Sequence, residues 1–435
     1  MRSISIRFVL GACAITTALW PKVGVAQLLD NILIPGRLVD VLPPTVGQAD
    51  ETVLNRARPA YDAPGVRVGN FIIRPQVTEG LLYDSNPLGT KGGRGSPAED
   101  TQASLQIVSD FNRNGIAINL SVDDLRYFGS NQAIENQTSR TNWQGGVGGF
   151  YEVGRGRILA DYSHAEQTEQ RTDIGFINRN VQLPYSVDIG RLAYRTAPGG
   201  LSFEPNVSVT AYRYGVASAV PGEIPGQFQD RNVLQAGLIT RYEVGERRDF
   251  VLSVEGASGN YLQKQAGLPG LDYSGVTMLA GIDYGLPAFY RLRLLGGVQT
   301  RQFSSGFYKG RTVPVGEAEV VWAPTRLTTV TGTATRRIED SADEASQGFT
   351  YTRGRVVVDH ELLRNVLLQA YGQLEYADYL QNGRTESVET VSGSSTWLLD
   401  RHLKVSASYT FERYTSNQAA AFNRSVALLQ FTFGL

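Results

Sequence analysis

Arg291 and Arg293 stand two residues apart, as do Glu317 and Glu319 and, further on, Arg353 and Arg355. In an extended chain, residues two apart share a face, so each pair presents like charges side by side. On neighbouring strands, Arg291 and Arg293 set against Glu317 and Glu319 would form a charge ladder. That chemistry shapes a field and sorts permeants by charge; it does not break bonds. Arg241, Asp283, Tyr371 and Glu375 fall on the polar phase of their own segments and complete a candidate pore wall. The plain alternative is that these groups pair across strands and keep a wide lumen hydrated.

Bond-making chemistry has thinner support. His164 has Ser163 beside it and Asp161 three positions back. Neighbours along a strand point to opposite faces, so Ser163 and His164 cannot pair directly as nucleophile and base. His360 and His402 have no better setting, and Cys13 is the sole cysteine. A His/Cys metal cluster, a phosphate loop and a dinucleotide fingerprint are all missing. The expectation is a chain that is not an enzyme and has no cofactor or metal. The net charge of −1 offers no basic excess for nucleic acid.

Tyr83-Asp84-Ser85-Asn86-Pro87 offers a different kind of site. Asp84 and Asn86 can each close an Asx-turn on local backbone, and Pro87 fixes the turn that follows. They are candidate loop anchors, with a cation or sugar contact at a pore mouth as the alternative.

All of these residues must be positioned by strands. Leu403, Val405, Ala407, Tyr409 and Phe411 alternate with polar residues, and Ala427, Leu429, Phe431, Phe433 and Leu435 alternate with Leu428, Gln430, Thr432 and Gly434. Period two with one greasy, aromatic-tipped face and one polar face suits a strand with lipid outside and water inside. An unpaired greasy edge would recruit other chains, so this last strand is expected to pair with the first and close a ring. The pattern begins at Val66. Short turns, such as Gly154–Gly156, Gly245–Arg248 and Ala323–Thr325, alternate with longer polar loops, such as Pro87–Ala98 and Gln167–Gln182. Eight short and nine long connections predict an antiparallel, up-and-down transmembrane β-barrel of about 18 strands, give or take two. Its aromatic girdles would include Tyr83, Tyr127, Phe128, Tyr151, Tyr242, Tyr284, Phe289, Tyr290 and Trp322. A propeller also repeats at roughly forty residues, but its blades need four short strands. Here each repeat holds two long ones, for example Val233 to Val244 and Phe250 to Gln263.

Residues 1–26 have basic Arg2 and Arg7, an apolar core from Phe8 to Trp20, and small residues at Gly24-Val25-Ala26. That pattern predicts a cleaved signal peptide. A lipoprotein reading of Leu10 to Cys13 is disfavoured because the apolar run continues past the cysteine. Residues 27–64, punctuated by Pro35, Pro43, Pro44, Pro59 and Pro64, predict a periplasmic arm with a short helix near Gln48–Arg58. A plug or docking segment is the alternative. The barrel would then span 65–435, with both termini periplasmic.

Gly69-Asn70-Phe71-Ile72-Ile73-Arg74-Pro75 leading into Tyr83-Asp84-Ser85-Asn86 resembles the opening strand of the Putative beta-barrel porin 2 family of bacterial outer membranes. The likeness runs through the first several hairpins and, more loosely, to the C-terminus. One departure is the last residue, Leu435 where such barrels usually end in Phe. The resemblance implies an outer-membrane channel and, as for some members of that family, the passive exit pore for an exopolysaccharide, working with periplasmic polysaccharide-export components. For an acidic polymer, Arg241, Arg291, Arg293, Arg353 and Arg355 would be guiding cations and Tyr371 a stacking platform. The alternatives are a general or solute-specific diffusion porin, or a non-conducting surface scaffold or adhesion barrel. The other expected partners are outer-membrane lipid and the assembly machinery, which would engage the C-terminal strand.

Overall fold

The computed structural model describes residues 52–435 except 55, 112, 130–131, 170–171, 175–181, 197–199, 216–225, 265–266, 287–289, 341–347 and 381–382. The expected signal peptide, the arm as far as residue 51, and Phe289 lie outside these. Within them the order is β1 (Val66–Val68), β2 (Phe71–Asp84), β3 (Ser96–Ser109), β4 (Gly115–Tyr127), a short helix (Gln132–Thr138), β5 (Arg140–Val153) and β6 (Gly156–Glu169). There follow β7 (Leu183–Arg195), β8 (Leu201–Tyr214), β9 (Arg231–Gly245), β10 (Arg248–Tyr261), β11 (Tyr273–Leu286), β12 (Tyr290–Phe303) and β13 (Arg311–Thr325). The chain ends with β14 (Thr328–Glu339), β15 (Phe349–Leu363), β16 (Val366–Tyr379), β17 (Thr385–Leu398), β18 (Leu403–Ser416) and β19 (Phe422–Gly434).

From β2 to β19 every strand pairs antiparallel with its chain neighbour, and β19 returns to β2 from Val426↔Asp84 to Gly434↔Gln76. The result is a closed ring of 18 strands, in which no backbone edge is left facing hydrocarbon. Where β19 stops, the Leu435 amide donates to the Pro75 carbonyl. Beyond that point β1 folds back to pair with β2 at Val66↔Ile73 through Val68↔Phe71. Gly69, at φ +58°, takes the first central position of this two-residue turn, as a type II′ hairpin requires. Pro75, which has no N–H to give, sits at the changeover between the two partners.

Side-chain parity follows the expected alternation. Leu429, Phe431 and Phe433 are exposed on the outer wall, while Arg424, Val426, Leu428 and Gln430 are buried inside. Met278 and Leu294 likewise face out, between inward Asp283 and Arg293. The expected turn at Ala323–Thr325 is displaced. β13 runs on to Thr325, because one extra residue is accommodated between Trp322↔Val330 and Thr325↔Thr328. This is a β-bulge containing Pro324, a residue that cannot donate to the ladder anyway.

Two expectations need correction. Tyr127 does not join an outer girdle: it is buried inside, and its hydroxyl donates to Asp84. Nor is the inner wall uniformly polar. Ile239, Val251, Leu279, Leu295 and Val315 form a buried apolar patch on the inner face of β9 to β13. The parity rule sorts phases, and it does not forbid an apolar residue on the polar phase.

Arginine at outward Leu429 should cost about 2–4 kcal/mol if that residue lies near the bilayer midplane. Arginine at inward Ser408 should be tolerated. Denaturant unfolding in lipid vesicles distinguishes the two, and equal costs would refute the assignment of faces.

Candidate functional site

The register turns the candidate wall residues inward on all of their strands. Arg293 is flanked across strands by Asp283 on β11 and Glu319 on β13. Arg291 lies opposite Val321 and instead reaches back to Asp283, Nη2 to Oδ2 3.3 Å. Glu317 stands opposite Leu295. Of the expected ladder, then, only Arg293 and Glu319 face each other directly, because the β12–β13 register is offset by two residues from a four-way match. Arg241 shares the Glu204 Oε2 atom with Arg195, at 2.9 and 2.6 Å. Arg353 is opposite Glu375, which also accepts the Tyr351 hydroxyl at 2.5 Å. The Arg355 guanidinium lies 4.9 Å over the Tyr371 ring, so one face of that candidate stacking platform is already covered. The wall is a set of cross-strand charge pairs rather than a single-sign track.

At the end of the barrel that carries the long connections, interior residues gather into clamps. Asp84 is fully buried at the end of β2. Its Oδ1 accepts the Asn86 amide at 2.9 Å, the expected Asx-turn. Its Oδ2 accepts Arg424 Nε and Nη2 at 2.9 and 2.6 Å, and the Tyr127 hydroxyl at 2.8 Å. Asn86 holds its loop by exchanging bonds with Thr90 and donating to the Asn423 carbonyl. Arg424 Nη1 continues to Glu412 and to Thr172 in the β6–β7 connection, at 3.3 and 3.4 Å. Ile174 in that same connection packs against Phe349 and Tyr379 on β15 and β16, across the ring from β6. The helix Gln132–Thr138 also turns inward, its Ile134 buried against Leu82, Leu125 and Leu428.

A second clamp sits on the next part of the wall. Asp340, just past β14, accepts Arg231 Nε at 2.9 Å and Arg301 Nη1 at 2.6 Å. The Arg231 guanidinium lies 4.1 Å over the ring of Tyr212, and that of Arg301 lies 4.0 Å over Tyr273. Arg337 and Glu339 pair beside them. The sequence pattern put none of Arg424, Tyr127, Glu412, Arg231, Arg301 and Asp340 among the candidates. The usable signal was arginine at inward parity beside tyrosine at strand ends.

The short-turn end is narrowed from below. The Val53 amide donates to Thr329 Oγ1 at 3.0 Å, and Arg58 Nη2 lies 2.9 Å from Glu361 Oε2. Val53, Leu54 and Tyr61 pack on Leu367 and Leu398. Of the expected helix near Gln48–Arg58, the described residues 52–54 and 56–58 form turns and a bend, with one helical-type bond from the Arg56 amide to the Thr52 carbonyl.

On the outer wall, His164 Nδ1 is 2.8 Å from Asp188 Oδ1, which also accepts the Tyr162 hydroxyl. Ser163 and Asp161 occupy the opposite, inward phase. Among the described residues no group of three or more His, Cys, Asp or Glu is arranged for a metal, and no helix is long and apolar enough to cross a membrane.

Replacing Arg424 with Leu strands two buried carboxylates and should cost about 3–5 kcal/mol, much of it restored by adding Asp84→Asn. Unfolding in detergent measures both. For Asp340, burial pushes the carboxyl up, but Arg301 and Arg231 outweigh it and hold it below the ordinary value. A carboxyl with a lowered folded pKa stabilises above its unfolded value and loses that contribution as the pH falls through the folded one. The clamp should therefore hold from neutral pH past about 4, where carboxylates ordinarily titrate, and release only in stronger acid. Hydrogen exchange around Ile338–Asp340 should show equal protection at pH 7 and pH 5.

A comparison with curated proteins gives no match. Among solved structures, the chain is similar to Pseudomonas aeruginosa OpdK with vanillate, at 11% identity and TM-score 0.46, covering 83% of this chain and 99% of that one. It is similar to OccK2 (OpdF) of the same organism in complex with glucuronate, at 11% and 0.47, covering 85% and 99%. Acinetobacter baumannii OccAB4 gives 9% and 0.45, covering 83% and 98%. Likeness at this level says nothing about a solute. The model of one family, described as Putative beta-barrel porin 2, matches residues 58–433. That match spans all 18 strands of the ring but for the last residue of β19, and the chain belongs to the Putative beta-barrel porin 2 family of porin-like outer-membrane β-barrels.

Proposed function

We propose that the protein is a passive diffusion channel for small hydrophilic solutes, with its long connections outside the cell and both termini periplasmic. The observation that carries this is a mostly polar, charge-paired wall, interrupted by one apolar patch and narrowed from both ends. Thr172, Ile174 and Asp340 fold inward at one end, and Val53 and Arg58 do so at the other. Paired charges keep water in the lumen without committing it to one sign of ion. Energy for transport would come from the solute gradient.

Exit of an exopolysaccharide is the reading implied by the family resemblance. A polymer must thread both mouths at once, and the inward segments weigh against it. A deletion strain with unaltered secreted polysaccharide would remove that reading. The outward phase of β19, with Phe431 and Phe433, is the surface we assign to the assembly machinery.

Swelling of protein-loaded liposomes tests conduction. Arabinose should enter quickly, raffinose slowly, and a dextran of several kilodaltons not at all. No swelling in arabinose would leave a non-conducting scaffold. Removing residues 52–62 should raise single-channel conductance. Arg241→Ala and Arg293→Ala should each shift ion selectivity toward cations, and unchanged selectivity in both would confine those arginines to wall pairing.

A further inference from the structure

Five consecutive strands bring a crescent of like chemistry to the loop-side interior. Tyr212 and Tyr214 close the inward phase of β8, Arg231 begins β9, Tyr261 closes β10, Tyr273 opens β11, and Arg301 lies near the end of β12. Each guanidinium rests on a tyrosine face about 4 Å away. Stacking of this kind orients the planar donors and keeps an arginine extended rather than coiled onto the wall. Between the two arginines sits a single carboxylate, that of Asp340, which accepts one bond from each, one per oxygen. Among the described residues, Glu339 beside it is engaged with Arg337, and Glu255 of β10 lines the same cavity. Among these described groups three cations face three acids, so a positive excess arises only when Asp340 leaves the cradle.

Asp340 is not part of the wall. It lies just beyond the last residue of β14, and it reaches strands two and five places round the ring. Its carboxylate occupies the position a solute's carboxylate would take, between two forked donors and beside aromatic rings. Immediately below the crescent the cavity is lined by Val233, Gln235, Ala257, Thr277 and Gln299, a mixture of apolar and hydrogen-bonding groups. A small ligand with one carboxylate and a short, weakly polar body matches those surfaces.

We propose that Arg231 and Arg301, with their tyrosines, form a binding subsite for small carboxylates, and that Asp340 fills this subsite as an internal stand-in. A solute carboxylate binds by displacing the Asp340 side chain from the two guanidiniums. As a station on a permeation path, the subsite rests on the channel reading above. As a binding site it does not, so binding is measured apart from flux.

The experiment titrates the full-length, detergent-solubilised protein with benzoate by calorimetry, and with benzamide as the neutral analogue of the same shape. Asp340→Asn should bind benzoate at least tenfold more tightly than the native protein and should leave benzamide binding unchanged. Adding Arg231→Gln or Arg301→Gln to that variant should remove the gain. Asp340→Ser is the second variant should the amide not fold, with folding checked by heat-modifiable gel mobility. Equal benzoate binding by the native protein and the Asp340 variants would overturn the proposal and leave the triad as a staple for its loop. So would gain that survives loss of either arginine, or that extends to benzamide. Failure of arabinose swelling alone would sink the channel reading and leave the subsite standing.

Discussion

The pairing of β19 with β2 is the constraint on which the rest of the molecule depends. Each strand in hydrocarbon must find partners on both edges, since an unpaired amide or carbonyl there has no water to turn to. Seventeen hairpin connections satisfy all edges but two, and the seam from Val426↔Asp84 to Gly434↔Gln76 satisfies those. Thr78 and Thr432 bond across it inside the barrel at 2.9 Å. At the loop-side end the Arg424–Asp84 pair spans the same seam, where removal of one partner would be most costly. The short β1 covers the part of β2 that β19 leaves open.

Closure fixes an inside, and the inside then has to be filled. In a ring of this size, side chains from the wall alone do not meet in the middle. The connections supply the remainder, and they are held by charge-assisted bonds rather than by apolar packing alone. Arginine serves at these anchors because its fork can engage two acceptors, and at Arg231, Arg301 and Arg384 it lies on a tyrosine ring at the same time. Arg424 engages Asp84 and Glu412, Arg231 and Arg301 engage Asp340, and Arg384 engages Glu386 while lying 4.8 Å over Tyr379. Tyrosines that would suit a bilayer interface on the outer phase are placed on the inner phase here.

Below these anchors the wall charges behave differently. They pair laterally along the sheet, as with Arg291 and Asp283 or Arg241 and Glu204, and so stay on the wall rather than crossing the lumen. The middle of the barrel is thus lined and the ends are narrowed, a division of labour that a diffusion channel can use and a polymer conduit would have to undo.

Sequence alone determined the ring and its faces. Period-two alternation is local, so residues such as Leu429 and Gln430, or Met278 and Asp283, reveal their sides without knowledge of any partner. Alternating turn and loop lengths gave the strand number by the same local logic, and Asp84 with Asn86 could be read as a turn because an Asx bond spans two residues. Tertiary structure decided everything that depends on who stands opposite. The two-residue offset that leaves Glu317 facing Leu295, the extra residue at Pro324, and Tyr127 turned to Asp84 are matters of register between separate segments. Asp84 and Arg424 lie 340 positions apart, and Asp340 reaches Arg231 across 109. No local pattern encodes such contacts, because they exist only once the sheet has curled far enough for its two ends to bond.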